Sequence, residues 1–269
     1  MVSNEQRRRQ LAREKFERQQ QRREEARRKG RRRNAVIAAA LAVVVAAGAG
    51  AYATGALSGD DKKDTTDAAA PETSKGPDPC AKPAPGSPAT KTWKSEPEMG
   101  VEKSAAYAMD LKTTCGTIDV KLDAANAPHT VNSFNFLAAE GYFDHTKCHR
   151  LTTSGIYVLQ CGDPKGMGNG GPGYTLPDEN LKDSRLKGNV YPAGTVAMAN
   201  TGQPHTGGSQ FFLVYQDSPL PPTYTPFGTI GAEGMKTLKK IAGAGESSGA
   251  GDGAPNATVV IDKATVAKS

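Results

Sequence analysis

Cys148-His149-Arg150, Gln160-Cys161-Gly162-Asp163, Met198-Ala199-Asn200 and Gly208-Ser209-Gln210-Phe211-Phe212 are the stretches whose reading decides the fold. They fall on or beside short runs of strand composition at 156–161, 196–200 and 211–215. Working outward, Ala105, Tyr107, Met109 and Leu111 alternate with other residues, and Ile118, Val120 and Leu122 do so again after Cys115-Gly116. That period of two predicts a β-hairpin. Asn126 to Pro128 breaks it. Thr130 then stands where a helix cap would, followed by Val131, Phe134, Leu137 and Ala138 on one face up to Gly141. Met235, Leu238, Ile241 and Ala242 predict a second helix over 231–242, and Val259 to Ile261 a terminal strand. Many short strands, two helices and Gly/Pro-rich connections are compatible with a closed β-barrel capped by helices.

The first third of the chain is not globular in composition. Residues 1–34 hold fourteen Lys or Arg against five Glu, a net +9, whereas the whole 269-residue chain carries +6. Everything after residue 34 is therefore net −3. The positive charge belongs to the tail, so it gives no reason to read the folded part as a nucleic-acid-binding domain. Residues 35–57 lack any charge and are mostly Ala, Val and Gly, long enough for one bilayer crossing as a signal-anchor helix. Arg31-Arg32-Arg33 before the run and Asp60-Asp61 after it orient the amino terminus to the cytoplasm and the domain outside the cell membrane. A cleaved signal peptide is the alternative, with small-residue sites at Ala49-Gly50-Ala51 and Ala51-Tyr52-Ala53, but the basic region and the apolar run are both longer than that pattern. No Cys lies within or just after the run, which removes support for a lipoprotein anchor.

Residues 1–34 form a basic cytoplasmic tail, too poor in apolar residues for a core and suited to contact with an anionic membrane surface. Nucleic acid is not an expected partner, because no aromatic or fold motif accompanies the basic residues. Residues 58–92, with six prolines and almost nothing apolar, read as a disordered linker. Trp93 marks the return of apolar residues and the expected start of a domain at 93–269. All four cysteines, Cys80, Cys115, Cys148 and Cys161, follow the apolar run, as suits an oxidising compartment. They permit two disulfides in three pairings, or four free thiols.

The quoted blocks, in their order, resemble the active face of the cyclophilins, a family of peptidyl-prolyl cis/trans isomerases. The resemblance covers about residues 93–269 and implies a mainly β fold, a closed eight-stranded antiparallel barrel with a helix at each end. It implies rotation about X-Pro bonds in secreted or envelope polypeptides, with no cofactor, metal or covalent intermediate. Arg150 matches the family's catalytic arginine and Gln160 a glutamine that hydrogen-bonds near the reacting amide. Tyr157, Val158, Phe212 and Leu220 match the walls of the proline slot, Ala199 and Asn200 grip the peptide through their backbone, and Gln210 lines the adjoining pocket. The family pattern also places Cys148 and Cys161 on adjacent antiparallel strands where they can be bridged, which leaves Cys80 for Cys115.

Departures from the common eukaryotic pattern bear on ligands. Two extra residues lie between Arg150 and Gln160, replacing a Pro-Gly turn with Thr152-Thr153-Ser154-Gly155, and one lies within 201–207. Pro219 stands where many members have tryptophan, which puts tight cyclosporin binding in question, and Tyr224 stands where they have histidine, still able to supply a ring wall and a hydroxyl. These changes motivate an alternative reading as a catalytically weak proline-peptide binding module or chaperone. A further alternative makes the basic tail the functional element, docking to RNA or lipid. Three weaker patterns remain. Gly168-Asn169-Gly170-Gly171-Pro172-Gly173 fits a dinucleotide fingerprint but contains Pro172 and precedes no helix, so it reads as a surface loop. His145, Cys148 and His149 crowd like zinc ligands but lack a second ligand pair. The Gly/Ser-rich stretch 243–253 lacks the ending of a phosphate loop and reads as a flexible connection.

Overall fold

The computed structural model describes residues 77–269. The basic tail, the apolar run and linker residues 58–76 lie outside the described residues, and among the described residues no helix is long and apolar enough to cross a membrane. The elements in chain order are β1 (Tyr107–Thr113), β2 (Gly116–Leu122), α1 (Pro128–Ala139), β3 (Thr146–Lys147), β4 (Arg150–Thr152), β5 (Val158–Cys161) and β6 (Val190–Tyr191). There follow β7 (Thr195–Met198), β8 (Phe211–Val214), β9 (Ser218–Pro219), β10 (Pro226–Ile230), α2 (Ala232–Gly243), β11 (Asp252–Gly253) and β12 (Val260–Lys268).

Ten strands form one antiparallel sheet in the order β11-β4-β5-β8-β7-β10-β2-β1-β12-β3, and β6 pairs with β9 separately. This corrects the expected closed eight-stranded barrel: among the described residues the sheet is not closed. The ladder order has two ends, and the segment 146–152 supplies a strand at or next to each of them. Within that segment the Cys148 N–H bonds the Val259 carbonyl at 3.0 Å, and one residue later the His149 N–H bonds the Gln160 carbonyl at 3.1 Å. The backbone thus changes partner from β12 to β5 without any ladder between β3 and β4. The β1–β2 hairpin holds as expected, with Thr113 opposite Gly116 and Thr114-Cys115 as the turn.

Both expected helices form, but their ends are fixed from a distance. α1 begins at Pro128, whose ring presets the first helical φ and whose missing N–H costs nothing there. Thr130 is consequently inside the first turn and is not the cap. Instead the Glu179 carboxylate accepts the His129 N–H at 3.0 Å, the Thr130 N–H at 2.9 Å and the Thr130 hydroxyl at 2.8 Å. The Asp119 carboxylate on β2 likewise accepts the Gly234 N–H in the first turn of α2 at 2.8 Å. An anion at a helix N-terminus satisfies orphan donors and opposes the helix dipole.

The main core lies between the sheet and the helices, with α1 packed on β12 and α2 on β2. Phe134 of α1 is its hub, with ring centroids 4.6 Å from Phe227, 5.1 Å from Phe143 and 5.4 Å from Phe211. A second cluster of Val158, Tyr191, Ala197, Phe212 and Val214 lies apart from it.

Residues 78–92, assigned by composition to the linker, are tied to the domain. A disulfide joins Cys80 to Cys115 in the β1–β2 turn, and another joins Cys148 to Cys161, the pairing the family resemblance implies. The Ala81 N–H bonds the Thr114 carbonyl at 2.8 Å, and the Ala84 N–H bonds the Asp262 carboxylate at 2.9 Å. Proline-rich backbone without apolar side chains is held here by a crosslink and strand-edge hydrogen bonds. Replacing Cys80 by Ser is expected to lower domain stability by about 2–4 kcal/mol, as for other crosslinks of this loop size. Denaturant unfolding checks this, and hydrogen exchange at Ala81 and Ala84 should lose protection in the same variant.

Candidate active site

The site starts from a period of two. In β4, β5 and β8 the register pairs Arg150 with Gln160, Leu151 with Leu159, Gln160 with Phe212 and Cys161 with Phe211. Leu151, Leu159, Cys161, Phe211 and Leu213 therefore face the main core, each fully buried. Arg150, Val158, Gln160, Phe212 and Val214 face the other way. Gly162 closes the arrangement: its φ is +88°, and a Cβ there would meet the Ser209 carbonyl at 2.2 Å. Only glycine allows β5 to approach this closely, and the Ser209 hydroxyl donates to the Gly162 carbonyl at 2.8 Å.

On the outward face a polar chain runs from β4 across β5 to Gln210, the residue just before β8, and on to the Gly-rich loop. The Arg150 Nη1 donates to Gln160 Oε1 at 3.3 Å, Gln160 Nε2 donates to Gln210 Oε1 at 2.9 Å, and Gln210 Nε2 donates to the Gly170 carbonyl at 2.9 Å. Gly170 belongs to the Gly-rich loop, which Asp163 organises. Its Oδ1 accepts the Lys165 N–H at 2.8 Å, and its Oδ2 accepts the N–H groups of Met167, Gly168 and Asn169 at 3.1, 2.6 and 3.0 Å. Burial pushes the Asp163 carboxyl up, but the backbone N–H donors outweigh it and hold the group below the usual carboxylate range. At its other end the chain is anchored by Asp252 on β11, whose oxygens each accept from Arg150, from Nε and from Nη2, at 2.7 Å. The carboxylate bonds raise the Arg150 pKa further.

Beside this chain lies the second apolar cluster. Phe212 forms its floor, the Tyr224 ring stands edge-on to Phe212 at 5.4 Å, and Val158, Leu220 and Ala199 pack around them. Tyr191, buried beneath, accepts the Tyr224 N–H at 3.1 Å and donates to the Tyr224 carbonyl at 2.7 Å. Burial pushes its hydroxyl up to about 12, so it remains a donor at any working pH. A groove of about 820 Å³ adjoins the slot, lined in part by Gln160, Ala199, Asn200 and Gln210, with Lys94, Ser95 and Glu96 on the wall contributed by the segment before β1.

The structure thus brings together Arg150, Gln160, Gln210, Val158, Ala199, Phe212, Leu220 and Tyr224. Asn200 lines the groove, although its side chain is turned to the Thr223 carbonyl at 2.8 Å. Tyr157 is placed differently. Its ring sits 5.9 Å from Tyr215, and Ile156 takes the position against the apolar cluster. Here 153–157 loops out between β4 and β5, with a bridge between Ser154 and Ile156, while Arg150 stays paired with Gln160. Cys148 is consumed by its disulfide and so is not available as a metal ligand, and His149 is half-buried with both ring nitrogens unpaired among the described residues. Sequence reasoning assigned no role to Asp163, Tyr191 or Asp252. Asp163 stood inside a quoted block, Tyr191 carried no local signal, and Asp252 sat in a stretch whose Gly and Ser content suggested flexibility.

A family model described as cyclophilin type peptidyl-prolyl cis-trans isomerase/CLD matches residues 108–266. The chain belongs to that family. It is 53% identical over 166 residues to a probable peptidyl-prolyl cis-trans isomerase B of Mycobacterium leprae, covering 59% of this chain and 56% of the relative. It is 52% identical over 165 residues to the protein of the same name in Mycobacterium tuberculosis, covering 58% and 53% respectively. The chain spans about half the length of these mycobacterial relatives. A Helicobacter pylori peptidyl-prolyl cis-trans isomerase is 40% identical over 138 residues, with 51% of this chain and 80% of the relative covered. A crystal structure of a Cryptosporidium parvum cyclophilin-type isomerase superposes with a TM-score of 0.48 at 25% identity, covering 61% of this chain and 99% of that one.

Tyr191→Phe removes the hydroxyl that both donates to and accepts from the Tyr224 backbone. Loss of hydrogen bonds of about 1 kcal/mol each should loosen the Tyr224 wall, raising KM for a proline peptide several-fold while kcat changes less. Steady-state isomerisation kinetics on the variant measure that split.

Proposed function

We propose that this chain is a peptidyl-prolyl cis/trans isomerase acting on X-Pro bonds of proline-containing polypeptides. The observation that carries the reading is the placement of Arg150, whose β-register partner Gln160 lies opposite both Arg150 and Phe212, beside the slot of Val158, Phe212, Leu220 and Tyr224. The X-Pro bond resists rotation because amide resonance gives it double-bond character, with a barrier of roughly 18–20 kcal/mol. In the twisted state the prolyl nitrogen regains a lone pair that the planar state does not offer. A guanidinium donating to that nitrogen binds the twisted state better than either planar isomer, which lowers the barrier without any nucleophile or base. Arg150 has five donors, of which Asp252 takes Nε–H and one on Nη2 and Gln160 takes one on Nη1, so one hydrogen remains on each Nη. The slot holds the proline ring by apolar burial. The groove beside it takes the residues preceding proline along Ala199 and Asn200.

The same proposal places the domain outside the cell membrane, anchored by 35–57 with the basic tail in the cytoplasm near anionic lipid. Charge asymmetry about the apolar run supports the orientation, and two disulfides suit an oxidising compartment. Clients are then secreted or envelope proteins with slow X-Pro isomerisation.

The test is catalysis of a short Xaa-Pro peptide by the full-length chain in mild detergent under oxidising conditions, wild type against Arg150→Ala. Loss of one preorganised donor should cost on the order of 10²–10³ in rate with the fold intact by circular dichroism. A folded wild type that gives no acceleration overturns the isomerase reading in favour of a peptide-binding module.

A further inference from the structure

The stretch between α2 and β12 has the composition of a slack connection, and its structure is the opposite. The side chain of Asn256 donates to the Ala244 carbonyl at 3.0 Å and the Glu246 carbonyl at 3.2 Å, holding the exit from α2. Glu246, only 9% exposed, folds its carboxylate inward to accept the Ser248 N–H at 2.5 Å and the Gly251 N–H at 2.8 Å. Gly251, at φ +91°, packs where a Cβ would meet the Ser154 Cβ at 2.5 Å, and its carbonyl accepts the Thr153 N–H at 2.9 Å. The loop is thus built from within and docked on the residues that follow β4. Its next residue, Asp252, lies opposite Thr152 in the β11–β4 ladder and meets the Arg150 guanidinium with both oxygens.

A solvated ion pair between flexible side chains contributes little and fixes nothing. This one differs in two respects. Both carboxylate oxygens are engaged in the parallel two-bond arrangement that sets the guanidinium plane. The carboxylate also sits on a strand paired directly to the strand that carries Arg150, so the distance between them is fixed by backbone hydrogen bonds. A long, partly exposed arginine would otherwise sample many rotamers, and only a fraction would aim a donor at the prolyl nitrogen.

Resting on the isomerase reading above, we propose that Asp252 is the positioning residue for Arg150, and that the loop 244–253 exists to hold it in place. Asp252 does not touch substrate. It takes the Nε edge of the guanidinium and leaves the Nη edge, also steadied by Gln160, for the reacting amide. Because the Arg150 bonds hold the Asp252 carboxyl below the usual carboxylate range, the clamp is closed throughout neutral pH and opens only as pH falls through that lowered value.

The experiment uses the full-length chain with Asp252→Ala, Asp252→Asn, Arg150→Ala and the double variant Arg150→Ala/Asp252→Ala, under oxidising conditions. Orienting partners of functional side chains commonly contribute on the order of 10–100-fold, so Asp252→Ala should lower kcat by that factor with KM nearly unchanged. Asp252→Asn, which keeps one acceptor, should recover part of the loss. In the Arg150→Ala background the second substitution should have no further effect, since the residue acts only through Arg150. On a sample labelled with ¹⁵N-arginine, the Arg150 Nε–H should give a slowly exchanging resonance that disappears in Asp252→Ala. Unchanged kcat in Asp252→Ala, or an equal further loss in the Arg150→Ala background, overturns the proposal. If the wild type itself is inactive, the isomerase reading fails separately, and persistence of the Nε–H resonance in Asp252→Ala then overturns the positioning role as well.

Discussion

Everything at the site depends on the register of β4, β5 and β8. The pairing of Arg150 with Gln160 and of Gln160 with Phe212 sends one set of side chains into the core and the alternate set to the working face. A slip of one residue would bury Arg150 and Gln160 and expose Leu151 and Leu159, so core stability and site geometry are enforced by one constraint. The Cys148–Cys161 bridge spans the β4–β5 pair just outside these residues, and the close approach of Gly162 to Ser209, just before β8, fixes β5 against β8.

A second device recurs around that frame. Glu179 at the start of α1, Asp119 at the start of α2, Asp163 in the Gly-rich loop and Glu246 in the loop before β11 each turn a carboxylate onto one or more backbone N–H groups. Short strands and Gly-rich turns leave many amides without ladder partners, and an anionic acceptor satisfies several at once more strongly than a neutral one. The last two support opposite ends of the polar chain on the working face. Asp163 holds the loop whose Gly170 carbonyl anchors Gln210, and Glu246 holds the loop that presents Asp252 to Arg150.

Period and motif made much of this legible. The hairpin, both helices and the strands through 158–161, 195–198 and 211–214 follow from local alternation and spacing, because each buries one face on the core. The blocks that resemble the family single out Arg150, Gln160, Gln210 and Phe212, and alignment of the residues after them adds Leu220 and Tyr224; the structure brings these side chains to one face. What escaped was set by distant partners. Thr130 has the chemistry of a cap, but Pro128 starts the helix earlier and Glu179 supplies the acceptor from another loop. Residues 78–92 have the composition of a tether, yet Cys80 and a few strand-edge bonds fasten them. Tyr157 was displaced by a five-residue loop whose geometry no periodicity encodes. Asp252 was hidden by glycine and serine neighbours, which signal freedom only when nothing else pins the backbone.

The long terminal strand β12 pairs along its length with β1 and, at its start, with β3. β1 is made about 150 residues before its partner, and sheet pairings of such separation are slow to form. During synthesis the early hairpin must therefore wait with both edges unpaired, β2 for β10 and β1 for β12, while the later strands emerge. Cys80, ahead of that waiting hairpin, and Cys115, in its turn, are both present long before β12. Their bridge can close on a half-made protein and hold the hairpin turn in place until the final strand arrives.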